Sequence, residues 1–384
     1  MRIFHISDLH LGLKLFNRDL GEDQKYILEQ IVEAVRKEQP DVLAVAGDIY
    51  DKAVPSAEAV TVFDEFILAL TKAAPDMEIM MISGNHDSAP RVNVFRGVLK
   101  DRKIRMIGNP PARPEEHIEK VVLTDSYGDV CFYLLPFVKP SMVKAVVGND
   151  ENGNNCSYDE SVRRLLEREQ IDATHRNVLV SHQFYVPAGK SADTVDRMDS
   201  EIRTVGNIDE VHADVLEPFD YAALGHIHKP MAVGKDCWRY SGTPLACSVS
   251  EAGQEKGIIL VEMGEKGDVK TSVIPLIPKR QIRIIRGNLT EVLAHACEDY
   301  VSVVLTDKVD YDVLDMQDRL RYAFCNLLEI RRESSHQLNY KSNYEAEKEA
   351  DPLELCRLFL NDLNPEEEKL LQNVINELTE GGAR

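Results

Sequence analysis

Apolar residues in the first third of the chain come in short unbroken runs separated by longer stretches of helical period. Ile3 to Ile6 is the first run, followed through a loop by an amphipathic pattern at Tyr26, Ile27, Ile31, Val32 and Val35. A second run, Val42 to Ala46, ends at Gly47-Asp48, and Pro55-Ser56 opens a helix carrying Val60, Phe63, Ile67 and Leu70 on one stripe. A third run, Glu78 to Ser83, closes on Gly84-Asn85-His86-Asp87. Strands with no polar alternation are buried on both faces, so strand, helix, strand, helix, strand predicts an α/β sheet covered on both sides. Val62 and Phe66 form a second stripe, and the segment after His86 adds Val92, Phe95, Val98 and Leu99. This surplus is either extra core or a contact between two copies.

Further runs lie at Asp129 to Leu135, Asn177 to Ser181 and Tyr221 to Leu224. Lys190 to Asp214 is long, polar and acidic and reads as an excursion over the surface. Short β-like pieces follow at Trp238 to Tyr240, Gly257 to Glu262 and Val269 to Ile274. The stretch from Pro275 to Pro278 then reads as a hinge. From Gln281 the pattern is strand (282–285), helix (289–296), strand (301–305), helix (313–324), strand (327–331), a small α+β module. The division expected is 1–275, 276–340 and a tail at 341–384. That tail carries two well-capped helix starts, Asp351-Pro352-Leu353-Glu354 and Asn364-Pro365-Glu366-Glu367. Its two amphipathic helices either pack on their own domain or dock in a partner's groove.

With 384 residues the chain can bury a large core in two or more domains. Seven cysteines without CxxC spacing fit reduced thiols in a cytoplasm rather than a disulfide framework. No signal peptide or membrane span is expected. A formal charge of −20 argues against coating nucleic acid by bulk electrostatics. DNA handling through metals, local basic patches or a partner stays open.

The ends of the buried runs carry the chemistry. They read Asp8-x-His10, Gly47-Asp48, Gly84-Asn85-His86-Asp87, His182 and Gly225-His226-x-His228. One such ending is an ordinary turn; five in series predict that the strand ends converge along one edge of a parallel sheet. Carboxylate, amide oxygen and imidazole together suit divalent ions of intermediate hardness. No cysteine falls at these ends, which disfavours a structural zinc site. Alternate residues of an extended segment face the same way, so each x-spaced pair can serve one ion or two neighbours. His5, inside the first strand, reads as packing. Lys14, Arg18, Lys52, Arg91 and Arg96 stand near the strand ends and could contact phosphates, although each is individually an ordinary surface charge.

This set of motifs resembles the calcineurin-like metallophosphoesterases. More narrowly, His5 to Gly12, Tyr240-Ser241-Gly242-Thr243-Pro244-Leu245, Ser250-Glu251-Ala252 and Lys256-Gly257 resemble the nuclease subunits of bacterial SbcCD complexes. The resemblance implies a two-sheet sandwich with a βαβαβ core flanked by helices, a small α+β capping domain and a C-terminal helical partner-binding tail. It implies two divalent ions, Mn²⁺ foremost and Fe²⁺ or Mg²⁺ as alternatives. One ion would be held by Asp8, His10, Asp48 and His228, the other by Asp48, Asn85, His182 and His226. His86 would orient the scissile phosphate and protonate the leaving oxygen, while Asp87 would hold an imidazole in its working tautomer. The implied activity is DNA cleavage, as exonuclease and hairpin endonuclease, in a cytoplasmic, nucleoid-associated repair complex. The implied partners are DNA ends and hairpins, an SbcC-type ATPase with a coiled coil (two plus two), and a second copy met through helices near 56–72 and 89–99. A phosphoesterase of small diesters or nucleotides and a non-catalytic scaffold for an ATPase are the competing expectations.

Overall fold

A computed structural model describes residues 1–187, 209–307 and 313–333, together with Gly189, Met198, Glu201 and Leu371. The predicted tail helices and most of the Lys190–Asp214 excursion lie outside these residues. Residues 1–333 form one compact unit.

Two six-stranded sheets stack face to face. In the first, the parallel strands Arg2–Ile6, Val42–Ala46, Glu78–Ile82 and Ile104–Ile107 lie side by side, and Lys256–Met263 and Val269–Leu276 extend the sheet antiparallel beyond Arg2–Ile6. In the second, Gly128–Leu135, Arg176–His182, Tyr221–Gly225 and Lys235–Tyr240 run parallel, with Glu119–Asp125 and Met231–Val233 antiparallel at the edges. Alternation along each strand assigns its two faces. Ile3, Val42, Ala44, Ala46, Met80 and Ile82 meet Phe132, Val178, Val180 and Ala223 between the sheets. Phe4, Ile6, Leu43, Val45 and Met81 face outward onto the helices Gly21–Glu38 and Ala57–Ala73. Helices Pro140–Val147 and Tyr158–Arg168 cover the far side of the second sheet through Val143, Val162, Leu165 and Leu166. The result is a helix–sheet–sheet–helix sandwich. Both faces of the first sheet are covered, as its unbroken apolar runs require.

Two expectations change. The five chemistry-bearing ends do not lie along one sheet edge. Three belong to the first sheet, whereas Arg176–His182 and Tyr221–Gly225 belong to the second and meet them across the sandwich. On the Ala57–Ala73 helix the core stripe is Ala59, Val62, Phe63, Phe66 and Leu70, with Val60 exposed. The supposed surplus at Val62 and Phe66 is therefore core. Ser56 caps this helix by accepting the Ala59 N–H at 3.2 Å.

A second module follows. Strands Ile282–Gly287, Tyr300–Leu305 and Leu327–Arg332 form a parallel sheet, with helices Leu289–Leu293 and Val313–Ala323 in the connections. Its core of Leu289, Val292, Val301, Val303, Leu305, Met316, Leu320 and Phe324 is separate from those of the sandwich. Asn288 and Glu291 close a capping box at the first of these helices. Among the described residues no helix is long and apolar enough to cross a membrane.

Candidate metal centre

Tight backbone turns at the strand ends bring Asp8, His10, Asp48, Asn85, His182, His226 and His228 together. Four of them leave the ordinary backbone regions: Asp8 (φ +54°), His10 (φ +43°), Asp48 (φ +50°) and His226 (φ +103°). A residue other than glycine held there costs on the order of 1–3 kcal/mol, so such clustering marks a site whose geometry is imposed by the fold. Glycines let the strand ends approach one another, within the first sheet at Gly84 and across the sandwich at Gly47. A Cβ on Gly84 would lie 2.1 Å from Asp48 Oδ1, and one on Gly47 (φ +88°) would lie 2.3 Å from His182 Nδ1.

The donors fall into two overlapping sets. The His10 and His228 Nε2 atoms stand 3.1 Å apart, and one ligand atom each from Asp8, His10 and His228 lies within 4.8 Å of the others. On the other side, Asn85 Oδ1 is 3.0 Å from His182 Nε2 and 2.9 Å from His226 Nδ1. Asp48 stands between them, its Oδ2 at 3.8 Å from His10 Nε2 and 3.3 Å from His182 Nε2. Its Oδ1 accepts the His86 N–H at 2.8 Å.

The arrangement fits a cation. His182 Nδ1 lies 2.7 Å from the Ala46 carbonyl, which can only accept, so the ring hydrogen is on Nδ1. Nε2 then carries a lone pair, yet it faces an Asp48 carboxylate oxygen and the Asn85 amide oxygen. Only a positive charge reconciles them. Without a metal the proton takes that place: burial disfavours charge on His182, but Asp48, Asp8 and the Ala46 carbonyl offset this and push it up to about 9. Burial instead drives His10 down to about 3. Burial pushes Asp8 upward, with Asp48 adding to it against His182 and His228. Asp48 is also raised by burial, but His182 and His10 hold it well below the usual carboxylate range. Buried carboxylates and imidazoles at these separations are the donor set of a divalent ion.

His86 lies beside this cluster, its ring 4.8 Å from that of His10. Its Nδ1 is 2.9 Å from the Asp51 carbonyl, which places the hydrogen on Nδ1 and leaves Nε2 for other work. Asp87 does not hold an imidazole, contrary to expectation. Its carboxylate accepts three main-chain N–H groups, from Gly84 and Ile49 at 3.0 Å and from Tyr50 at 2.9 Å. It therefore staples the turn after Val42–Ala46 to the turn after Glu78–Ile82. Burial, with Asp48 adding, raises it to about 6 against those three donors.

Several supporting residues were not recognised from sequence. Ser7 Oγ donates to Asp8 Oδ2 and lies 2.8 Å from Ser241 Oγ, and the His226 N–H reaches Asp8 Oδ1 at 3.1 Å. Glu251, fully buried, sits 3.5 Å from His228 Nδ1 and accepts from Thr243 Oγ1 at 2.9 Å and Lys256 Nζ at 2.7 Å. The Ser-Gly-Thr-Pro and Glu251 segments carried a family likeness in the sequence but no visible chemistry, because their partners are remote in the chain. Of the basic residues noted near the strand ends, Arg96 is paired with Glu119 at 2.6 Å, and Lys14, Lys52 and Arg91 are exposed.

A buried cluster of carboxylate, amide and imidazole donors at the junction of two sheets defines a class, and the family models agree. Residues 1–230 match the model for calcineurin-like phosphoesterases, and the chain belongs to that family, which makes it a phosphate-ester hydrolase. Residues 278–364 match a second model, SbcD_C, described as the Type 5 capsule protein repressor C-terminal domain. Together they describe an SbcD-like metallophosphoesterase. Among solved structures, the chain is similar to a dimetal phosphatase from Danio rerio, with 12% identity over 72% of this chain and 97% of that one and a TM-score of 0.42. It is also similar to TT1561 of Thermus thermophilus, with 11% identity, 71% and 98% coverage and a TM-score of 0.38. GAP50 of Plasmodium matches at 10% identity, 87% and 98% coverage and a TM-score of 0.41.

Proposed function

We propose that this phosphoesterase is the DNA-cleaving subunit of an ATP-driven end-processing complex, hydrolysing phosphodiesters with two divalent ions. The observation that supports it most is the seven-donor cluster standing beside a second module of the SbcD_C type. In this reading Asp8, His10, Asp48 and His228 hold one ion, and Asp48, Asn85, His182 and His226 the other. Mn²⁺ suits this mixture of carboxylate, amide and imidazole, with Fe²⁺ and Mg²⁺ as alternatives. Such ions supply Lewis acidity to the phosphoryl group and its attacking water.

The chain's own groups do the rest. The Asp51 carbonyl fixes the His86 tautomer, so that Nε2 carries a proton only in the imidazolium form. That proton serves first the phosphate oxygen and then the leaving oxygen. Ser7 and the His226 N–H orient Asp8, and Glu251 with Lys256 steadies His228 from behind.

A nuclease, unlike a small-ester phosphatase, must hold a polymer on both sides of the reacting phosphate. A groove of about 670 Å³ between the Phe16-Asn17-Arg18 hairpin tip and Arg321, Phe324 and Leu328 of the second module supports that reading. Val94, Phe95 and Val98 are 50%, 72% and 69% exposed, and Val60 and Leu68 are also exposed; this apolar surface supports a homodimer. Residues 341–384 are assigned to docking on an SbcC-type ATPase.

The test is cleavage of end-labelled duplex and hairpin DNA with Mn²⁺, with and without the ATPase and ATP, beside a chromogenic phosphodiester. Strand cleavage supports the nuclease reading. Hydrolysis of the small ester without any strand cleavage contradicts it.

A further inference from the structure

The first turn of the Gly21–Glu38 helix holds two buried polar side chains in succession, Asp23 at 0% and Gln24 at 5% exposure. Such groups are tolerated only where they are hydrogen-bonded, and here each faces a different neighbour. Gln24 brackets the loop that carries His10. Its Nε2 donates to the His10 carbonyl at 2.7 Å and to the Leu9 carbonyl at 3.3 Å, and its Oε1 accepts the Gly12 N–H at 3.1 Å. Asp23 faces the second module. Its Oδ2 accepts from the Tyr300 hydroxyl at 2.8 Å and from Arg280 at 2.6 Å, while the other arm of Arg280 reaches Glu22 at 2.9 Å. Further along the same helix, Gln30 exchanges two hydrogen bonds with the Ile277 main chain, at 2.7 and 3.0 Å.

The second module is therefore fastened to the helical turn that also holds the backbone of a candidate ligand. The same junction reaches His228. A cavity of about 560 Å³ there is lined by Glu251 and Lys256 on one side and by Arg280, Ile282 and Tyr300 on the other. Lys256 Nζ donates to the His228 carbonyl at 2.9 Å. His10 and His228, whose Nε2 atoms face each other, are thus each one residue removed from the junction.

We propose that Asp23 and Gln24 are positioning residues that make the seating of the second module a determinant of the site's affinity for its metal. The proposal rests on the metal-site reading above. Tyr300 and Arg280 fix Asp23, Asp23 fixes the helical turn, and the turn carries Gln24 and with it the His10 carbonyl.

The test is calorimetric titration of the full chain with Mn²⁺. Gln24→Ala weakens binding about tenfold, the scale of losing an outer partner of a metal ligand. Tyr300→Phe, which removes one hydroxyl and keeps the ring, weakens it roughly threefold. Because the two act in series, the double variant binds like Gln24→Ala alone rather than losing the product of both factors. Ser302→Ala serves as control: its Oγ donates to Glu329 at 2.8 Å inside the module, so it lowers stability without changing Mn²⁺ affinity. Tyr300→Phe with unchanged affinity, or multiplicative losses in the double variant, overturns the proposal. A wild-type chain that takes up no Mn²⁺ at millimolar concentration refutes the metal-site reading itself.

Discussion

Replacing Gly84 by alanine tests how closely the Gly84 turn approaches Asp48. Gly84 does not occupy the left-handed region, so an alanine there meets no backbone penalty; the whole effect is steric. The added Cβ would stand 2.1 Å from Asp48 Oδ1, 2.5 Å from Asp48 N and 2.6 Å from Asp48 Cγ. An ordinary C···O contact is about 3.3 Å, so Asp48 and the Gly84 turn must separate by roughly 1.2 Å. Asp48 cannot swing away alone, because its Oδ1 holds the His86 N–H and its main-chain carbonyl accepts the His10 N–H at 3.0 Å. Overpacking of this kind costs about 1–3 kcal/mol of stability. A displacement near 1 Å of a group set between both donor sets costs about a hundredfold in rate, or about 2.7 kcal/mol of barrier. The assay is kcat/KM on a chromogenic phosphodiester with Mn²⁺, paired with urea unfolding. Gly97→Ala is the control: nothing lies within 4 Å of its Cβ and it sits in the helix Arg96–Lys100, so stability holds or rises and activity is unchanged. A Gly84→Ala enzyme with at least half the wild-type activity would mean that the Gly84 turn does not fix the position of Asp48.

Asp87→Asn presents an amide N–H₂ to main-chain donors that need an acceptor, and lowers stability by about 1–3 kcal/mol in denaturant titration; an unchanged midpoint would mean that the staple does not bind the two turns together. His5 contributes to acid sensitivity. It is fully buried, accepts from the Tyr221 hydroxyl at 2.9 Å, donates to the Leu224 carbonyl at 3.2 Å, and burial lowers it to about 3. The unfolded chain takes up this proton below about 6.5 and the folded chain does not, so stability falls as pH drops through that window, by about 1.6 kcal/mol from 6.5 to 5. His5→Gln, measured in chelator, flattens the decline by that amount, and an unaltered slope would exclude His5 as one of its sources. Phe95→Asp places a charge in the apolar surface assigned to the homodimer and raises its dissociation constant at least tenfold by light scattering; wild-type mass at all concentrations would remove that surface from the interface.

The candidate site was legible in the sequence because buried strands read as unbroken apolar runs, and a polar residue ending such a run is conspicuous. Asp8, His10, Asp48, Asn85, His182, His226 and His228 were found this way, and the structure brings all seven together. What could not be read is which sheet each run joins. Arg176–His182 and Tyr221–Gly225 carry no local mark that separates them from Val42–Ala46, since pairing is decided by partners far along the chain. The helix stripe was misassigned for a related reason. Ala57–Ala73 is apolar around most of its circumference, so period alone did not distinguish Val60 from Val62. Asp87 stood beside an imidazole in sequence, yet in space its nearest donors are main-chain N–H groups of two turns. Glu251 and Lys256 were invisible as chemistry, because a buried ion pair has meaning only beside His228.

Strand ends from two sheets are proposed to hold two divalent ions jointly, with Asp48 shared. Equilibrium titration of the chain with Mn²⁺ tests this directly, read as ions bound per chain in the wild type and in Asp48→Ala. Two ions are expected in the wild type and one or none in the variant. A single ion in the wild type, or two retained without Asp48, would contradict this.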